Sequence, residues 1–295
     1  MNFKPVMADR FILGEAPHWD ADEQEMLWVD IAGRAAYAYQ PESTRLRQWH
    51  FDEPVSAIVP RAGGHYLVAT GRGAYGLNVD TGAINPIAEP AGEPQGNRTN
   101  EARVDPQGRF WMASMENNIG PDGGDIPVAE STGMLWCIDT DHSIRRVESG
   151  IGISNSLVWS PDQTRMYFAD TLQRVIWVYD WDATSGEASN RRVFAATEGC
   201  GNPDGSAMDE EGCLWNARWG AGCIIRYRPD GSIDRIVDVP ARCPSSCVFG
   251  GSDRKTLYVT TAYFGMPESE RGESDGALLA AATDIRGQEC TPYGG

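Results

Sequence analysis

A chain of 295 residues with 41% apolar side chains can bury a sizeable core, and 25 basic against 42 acidic residues leave a formal charge of −17. That field repels phosphate backbones, so no nucleic-acid partner is expected, while cations and neutral small molecules are tolerated. No stretch is apolar enough to cross a bilayer, and MNFKPVMADRFILGEAPHW lacks a basic segment followed by an apolar one, so neither a membrane association nor a signal peptide is expected.

The seven cysteines are odd in number, form no Cys-x-x-Cys pair, and have only four histidines as possible co-ligands. Reduced, mostly buried thiols and a cytoplasmic location are the expectation. The 33 glycines, 18 prolines and 10 tryptophans suit many short strands joined by turns.

Taken in chain order, a β-rich stretch recurs after a turn: LWVD (27–30), YLVAT (66–70), FWMAS (110–114), MYFAD (166–170), LWNAR (214–218) and LYVTT (257–261). The starts are 39, 44, 56, 48 and 43 residues apart. Turn residues come first in each case: DADEQ, RAGG, DPQG, SPDQT, DEEG and GSDRK. Second strands follow as AAYAYQ, GAYGLNV, GMLWCID, VIWVYDWD and CIIRYRPDG. Six units of about four strands each predict an all-β fold, a six-bladed β-propeller, because a small sheet buries its faces only by stacking on neighbours around an axis. One domain over residues 1–295 is expected, with residues 2–8 adding the outer strand of the last blade beside GALLAAATD (276–284).

Counting five residues back from each turn-opening residue gives Glu15, Ser56, Asn100, Asn155, Asp204 and Ser246. In a propeller the first strand of each blade runs along the central channel, so equivalent positions form a ring at one mouth. All six are oxygen donors. Turn-proximal positions favour such residues anyway, yet Glu15 and Asp204 facing each other at a narrow mouth would repel without a cation between them. Oxygen ligation suits calcium, magnesium or manganese, with iron and zinc as further options. Trp219 is the tryptophan expected to line the pocket. Trp28, Trp111, Trp159, Trp177 and Trp215 are expected between blades, and His18 is expected to be packed or to support the ring.

At these residues the chain resembles the senescence-marker-protein/gluconolactonase family of six-bladed propellers that hydrolyse sugar lactones. The likeness rests on GEAPHW (14–19), RTNEARVDPQGRFWMASM (98–115), SNSLVWSPD (154–162), ADTLQRVIWVYD (169–180) and NPDGSAMDEEGCLW (202–215). It implies that Glu15, Asn155 and Asp204 bind one divalent metal ion. It implies that Asp204 also acts as general base, and that Arg98, Asn100 and Asn118 hold the substrate. Where the family often has an acid, this chain has Asn118, with Glu116 two residues earlier. The implied reaction is hydrolysis of a pentose- or hexose-derived aldonolactone to the open acid. The alternatives are a propeller hydrolase of organophosphates or hydrophobic lactones, and a non-catalytic calcium-binding propeller.

Overall fold

The computed structural model describes residues 1–62, 65–197 and 199–295. The Gly63-Gly64 part of the second turn lies outside the described residues. Six four-stranded antiparallel sheets are arranged in a ring, giving the six-bladed propeller that the repeat spacing predicts. The innermost strands are Gly14–Asp20, Val55–Arg61, Asn97–Val104, Ser154–Trp159, Asn202–Met208 and Cys243–Gly250. The recurring β-rich stretches are the second strand of each blade, from Glu25–Asp30 to Thr256–Ala262. In the sixth blade, Lys4–Pro5 pairs with Leu279 and Ala280, so its outer strand comes from the other end of the chain.

Burial falls outward along each blade. The inner strands Gly14–Asp20 and Ser154–Trp159 are buried at every residue, whereas the outer strands Arg45–His50 and Glu187–Ala196 are mostly exposed. Inner strands are enclosed on both faces and need no polar alternation; outer strands meet water. The inner strands bury several small polar side chains, such as Ser56, Ser154, Ser156, Ser206 and Ser246, all with essentially no exposure.

The repeated turn residues have a specific task. Asp105 accepts hydrogen bonds from the amides of Gln107 and Arg109 and from Trp111 Nε1. Asp209 does the same with Glu211, Cys213 and Trp215 Nε1. In the third and fifth blades one aspartate thus closes the hairpin and seats the buried tryptophan of the following strand. The indole of Trp111 meets those of Trp159 and Trp181 edge-on at 5.9 and 5.2 Å, across the boundary between the third and fourth blades. Trp215 meets Phe249 at 5.6 Å across the boundary between the fifth and sixth. Such pairs contribute about 0.5–1.5 kcal/mol each beyond the area they bury.

A second aspartate sets the entry to the inner strand. Asp30 accepts the amides of Ile12, Leu13 and Gly33, and Asp170 accepts those of Gly152 and Ile153. These bonds hold the backbone just before Glu15 and Asn155.

Candidate active site

All six inner strands carry a bulge or register shift at the position reached by the five-back count. The shifts fall at Glu15/His18, Val55/Ala57, Thr99/Glu101, Asn155/Val158, Pro203/Ser206 and Pro244/Ser246. A bulge re-aims a side chain and breaks the regular alternation. Ala16 and Ser156, directly after Glu15 and Asn155, have φ of 46° and 49°, a left-handed conformation uncommon for residues with a side chain. In the fifth blade the residue after Asp204 is Gly205. A Cβ there would overlap the Ser246 side chain and stand 2.9 Å from the Ser246 Cα. Gly205→Ala is therefore expected to destabilise the fold by about 1–3 kcal/mol through overpacking. A thermal melt beside wild type checks this, and an unchanged midpoint would refute it.

Glu15, Asn100, Asn155 and Asp204 line one cavity of about 210 Å³, together with Arg98, Asn118 and Trp219. That volume is far more than the ~10–15 Å³ that one water needs by the same measure, so the cavity has room for a small molecule. Ser56 and Ser246 do not line it. The Ser56 hydroxyl donates to Thr99 Oγ1 at 2.7 Å, and Ser246 stands behind Gly205. Four of the six ring positions thus share the cavity. His18 instead lines a smaller cavity of about 50 Å³ with Arg103 and the C-terminal Glu289 and Cys290. Burial and the charge of Arg103 push its imidazole down to about 3, so it is neutral and packed.

The polar groups of the cavity are fixed by hydrogen bonds. Asn100 Nδ2 donates to the Ser154 carbonyl at 2.7 Å. Asn155 Nδ2 donates to Thr171 Oγ1 at 2.8 Å, which in turn donates to the Pro203 carbonyl. The Asp204 carbonyl accepts from Ser156 Oγ and from Asn216 Nδ2, and the fully buried Arg218 donates to Asn216 Oδ1 at 2.9 Å. Read as sequence, Arg98 sits in a Gly- and Asn-rich loop; in the fold it belongs to an inner strand and is only 4% exposed. It donates to the Thr99 carbonyl, to Asn100 Oδ1 at 2.7 Å and to Asn118 Oδ1 at 2.6 Å. Its Nε is buried with no partner among the described residues, while Nη2 donates only to Asn118 and so keeps one N–H for a ligand.

Glu101 is a third carboxylate that the five-back count passes over, although it directly follows Asn100 in the chain. It is 4% exposed, and its Oε1 is buried with no hydrogen-bond partner among the described residues. Burial pushes Glu101 up to about 7. Burial, and then the charge of Glu101, push Glu15 up to about 8 against weaker pulls from Arg98 and Arg103. Asp204 is raised by burial and then by Glu15 and Glu101. Three buried carboxylates that raise one another form a site of excess negative charge, which a divalent cation would relieve. The donor types fit such an ion: carboxylate oxygens of Glu15 and Asp204 and the amide oxygen of Asn155 are hard ligands. Asp209, Glu211 and Cys213 also bring ligand atoms within 4.8 Å of one another, but Arg226 already pairs with both acids there.

Residues 13–263 match the model of the SMP-30/Gluconolactonase/LRE-like region, which covers well over half of the chain. The chain belongs to this family. It is 31% identical to regucalcin of Xenopus laevis, over 98% of this chain and 97% of that one. It is 34% identical to a pentonolactonase of Haloferax volcanii, over 92% and 88% of the two chains. Among solved structures it is similar to a calcium-binding protein, regucalcin, from Agrobacterium tumefaciens, with a TM-score of 0.90, 26% identity, and coverage of 99% and 97%. Among the described residues no helix is long and apolar enough to cross a membrane.

Proposed function

We propose that this member of the family hydrolyses a sugar lactone to its open-chain acid, with a divalent metal ion held by Glu15, Asn155 and Asp204. The observation that carries the reading is one cavity in which buried carboxylates stand beside the donor series Arg98, Asn100 and Asn118. The pentonolactonase relative acts on lactones by its name, and the calcium-binding neighbour supports a divalent ion. All-oxygen ligation favours calcium, magnesium or manganese over the softer zinc and iron. The seven cysteines are all unpaired, which agrees with a cytoplasmic setting.

A lactone is a cyclic ester, and water adding to its carbonyl carbon generates a tetrahedral oxyanion. When bound, the ion supplies a Lewis acid that stabilises negative charge on the carbonyl oxygen. The side chains do the rest. Asp204 accepts the proton of the attacking water at a carboxylate oxygen and returns it to the ring oxygen as the C–O bond breaks. Its backbone is held by Ser156 and Asn216, so the carboxylate is aimed before substrate arrives. Arg98 donates its remaining Nη2 hydrogen to a substrate oxygen, and Asn100 holds the guanidinium in place. Trp219 and Phe264 wall the cavity and limit bulk water. A buried Arg98 lining the cavity favours a hydroxylated substrate over an organophosphate or a hydrophobic lactone.

The test is a lactone panel (xylono-, arabinono-, galactono- and gluconolactone) read with a pH indicator. It is run after chelation and again with each metal restored. Acid release that disappears with chelator and returns with one divalent ion is the expected result. No release from any lactone with any metal would overturn the reading.

A further inference from the structure

The carboxylate that is absent at Asn118 has a counterpart in the loop that follows it. Asp125 lines the same cavity as Arg98 and Asn118. Arg98 Nη2 donates to Asn118 Oδ1 at 2.6 Å, and Asn118 Nδ2 donates to Asp125 Oδ1 at 3.3 Å. The three side chains form a hydrogen-bonded row along one wall, with a guanidinium at the inner end and a carboxylate at the outer end.

The loop that carries Asp125 is built to hold it there. Asp125 bridges to Ile119, and the Ile126 amide donates to the Asn118 carbonyl at 2.8 Å. Gly120 donates to the Gly124 carbonyl at 2.8 Å. Beyond Asp125, the amides of Ala129 and Glu130 both donate to Glu116 Oε2, at 2.7 and 2.9 Å. Glu116 therefore ties the loop down from outside the cavity. Across the cavity mouth, Gly265 has φ of 73°, and a Cβ on it would lie 3.2 Å from Asp125 Oδ2. A side chain at 265 would be strained on its own backbone and would crowd this carboxylate.

From this geometry we infer that Asp125 is the residue by which the site recognises ring and side-chain hydroxyls and rejects lactones bearing a second negative charge. The inference rests on the lactonase reading above. A carboxylate only accepts hydrogen bonds and a guanidinium only donates them. Placed along one wall, they suit vicinal hydroxyls that accept from Arg98 and donate to Asp125. An anionic substituent at the outer end meets a like charge in place of a donor. The substrate class is the uncharged polyhydroxy lactone.

The test compares wild type with Asp125→Asn, which keeps the acceptor for Asn118 and removes the charge. Three lactones are used: gluconolactone, hydroxyl-free δ-valerolactone and anionic 6-phosphogluconolactone. The kcat/KM ratio of gluconolactone to δ-valerolactone is expected to fall about tenfold, through KM. The ratio of the phosphorylated to the neutral sugar lactone is expected to rise by a similar factor. Asp125→Glu, which keeps the charge, is expected to recover part of the first ratio and none of the second change. Ratios that stay within twofold of wild type overturn the inference while leaving lactone hydrolysis intact. Sorbitol, a polyol with no ester, is titrated into both proteins by calorimetry. Weaker sorbitol binding by Asp125→Asn without any lactone hydrolysis supports hydroxyl recognition and defeats the lactonase reading alone. Equal sorbitol binding in that situation overturns the inference as well.

Discussion

Asp204→Asn is expected to lower kcat for lactone hydrolysis by about three orders of magnitude while the propeller stays folded. The substitution preserves shape, and the backbone bonds from Ser156 and Asn216 reach the Asp204 carbonyl, which it leaves in place. It removes the proposed acceptor for the water proton, a loss of ~10²–10⁴ for a positioned general base. It also removes one of the two carboxylates proposed to hold the ion. Two readouts separate the effects. Calorimetric titration with calcium or manganese should show binding weakened at least tenfold. Turnover at saturating metal should remain depressed after occupancy is restored. The variant should also melt higher than chelated wild type near pH 8, because a buried carboxylate raised by its neighbours is gone. A variant that turns over within tenfold of wild type at saturating metal would falsify the general-base assignment.

Metal-free protein is expected to lose stability as pH rises from 6.5 to 8, and a divalent ion is expected to reverse the trend. Glu15 is held up at about 8 and Glu101 at about 7, against 4.5 for both in an unfolded chain. Above 4.5 the unfolded chain releases these protons while the folded protein keeps them. The folded state then binds more protons, so stability falls with pH until the folded values are passed. His18 works in the opposite sense below 6.5, because its folded value of about 3 means that only the unfolded chain takes up a proton there. The unopposed window is therefore 6.5 to 8. Across it Glu15 alone removes on the order of 2 kcal/mol, or about 4 °C in melting temperature at ~2 °C per kcal/mol for a chain of this size. Melting curves in chelator at pH 6.5, 7.2 and 8.0, repeated with saturating ion, check this. A chelated midpoint that rises across the window, or an ion-induced gain no larger at pH 8.0 than at 6.5, would sink the account.

The stacking of six similar units was legible because it is written in short-range terms. Asp105 with Trp111 and Asp209 with Trp215 repeat a six-residue contact, and the strands between such turns have the length and composition of blade strands. The five-back count also reached positions that share a cavity, since the turn and the bulge stand at a constant separation along the inner strand. It could not tell the four cavity donors from Ser56 and Ser246. That distinction depends on what the neighbouring blade presents, Thr99 in one case and Gly205 in the other. Arg98 looked like a surface loop residue because its flanks are Gly- and Asn-rich, while the decisive facts were strand pairing with Met115 and burial.

The sequence by itself determined the wheel of blades, the aspartates that close its hairpins, the tryptophans between them and the spacing that carries oxygen donors to the inner strands. These follow from contacts a few residues long and from a repeat that needs partners to bury its faces. Only the tertiary structure decided that Glu101 joins Glu15 and Asp204 as a third buried carboxylate, that His18 serves the opposite cavity, and that Asp125 reaches the wall beside Asn118. Each of those depends on charges or loops brought together from distant parts of the chain, where separation along the polymer says nothing about separation in space.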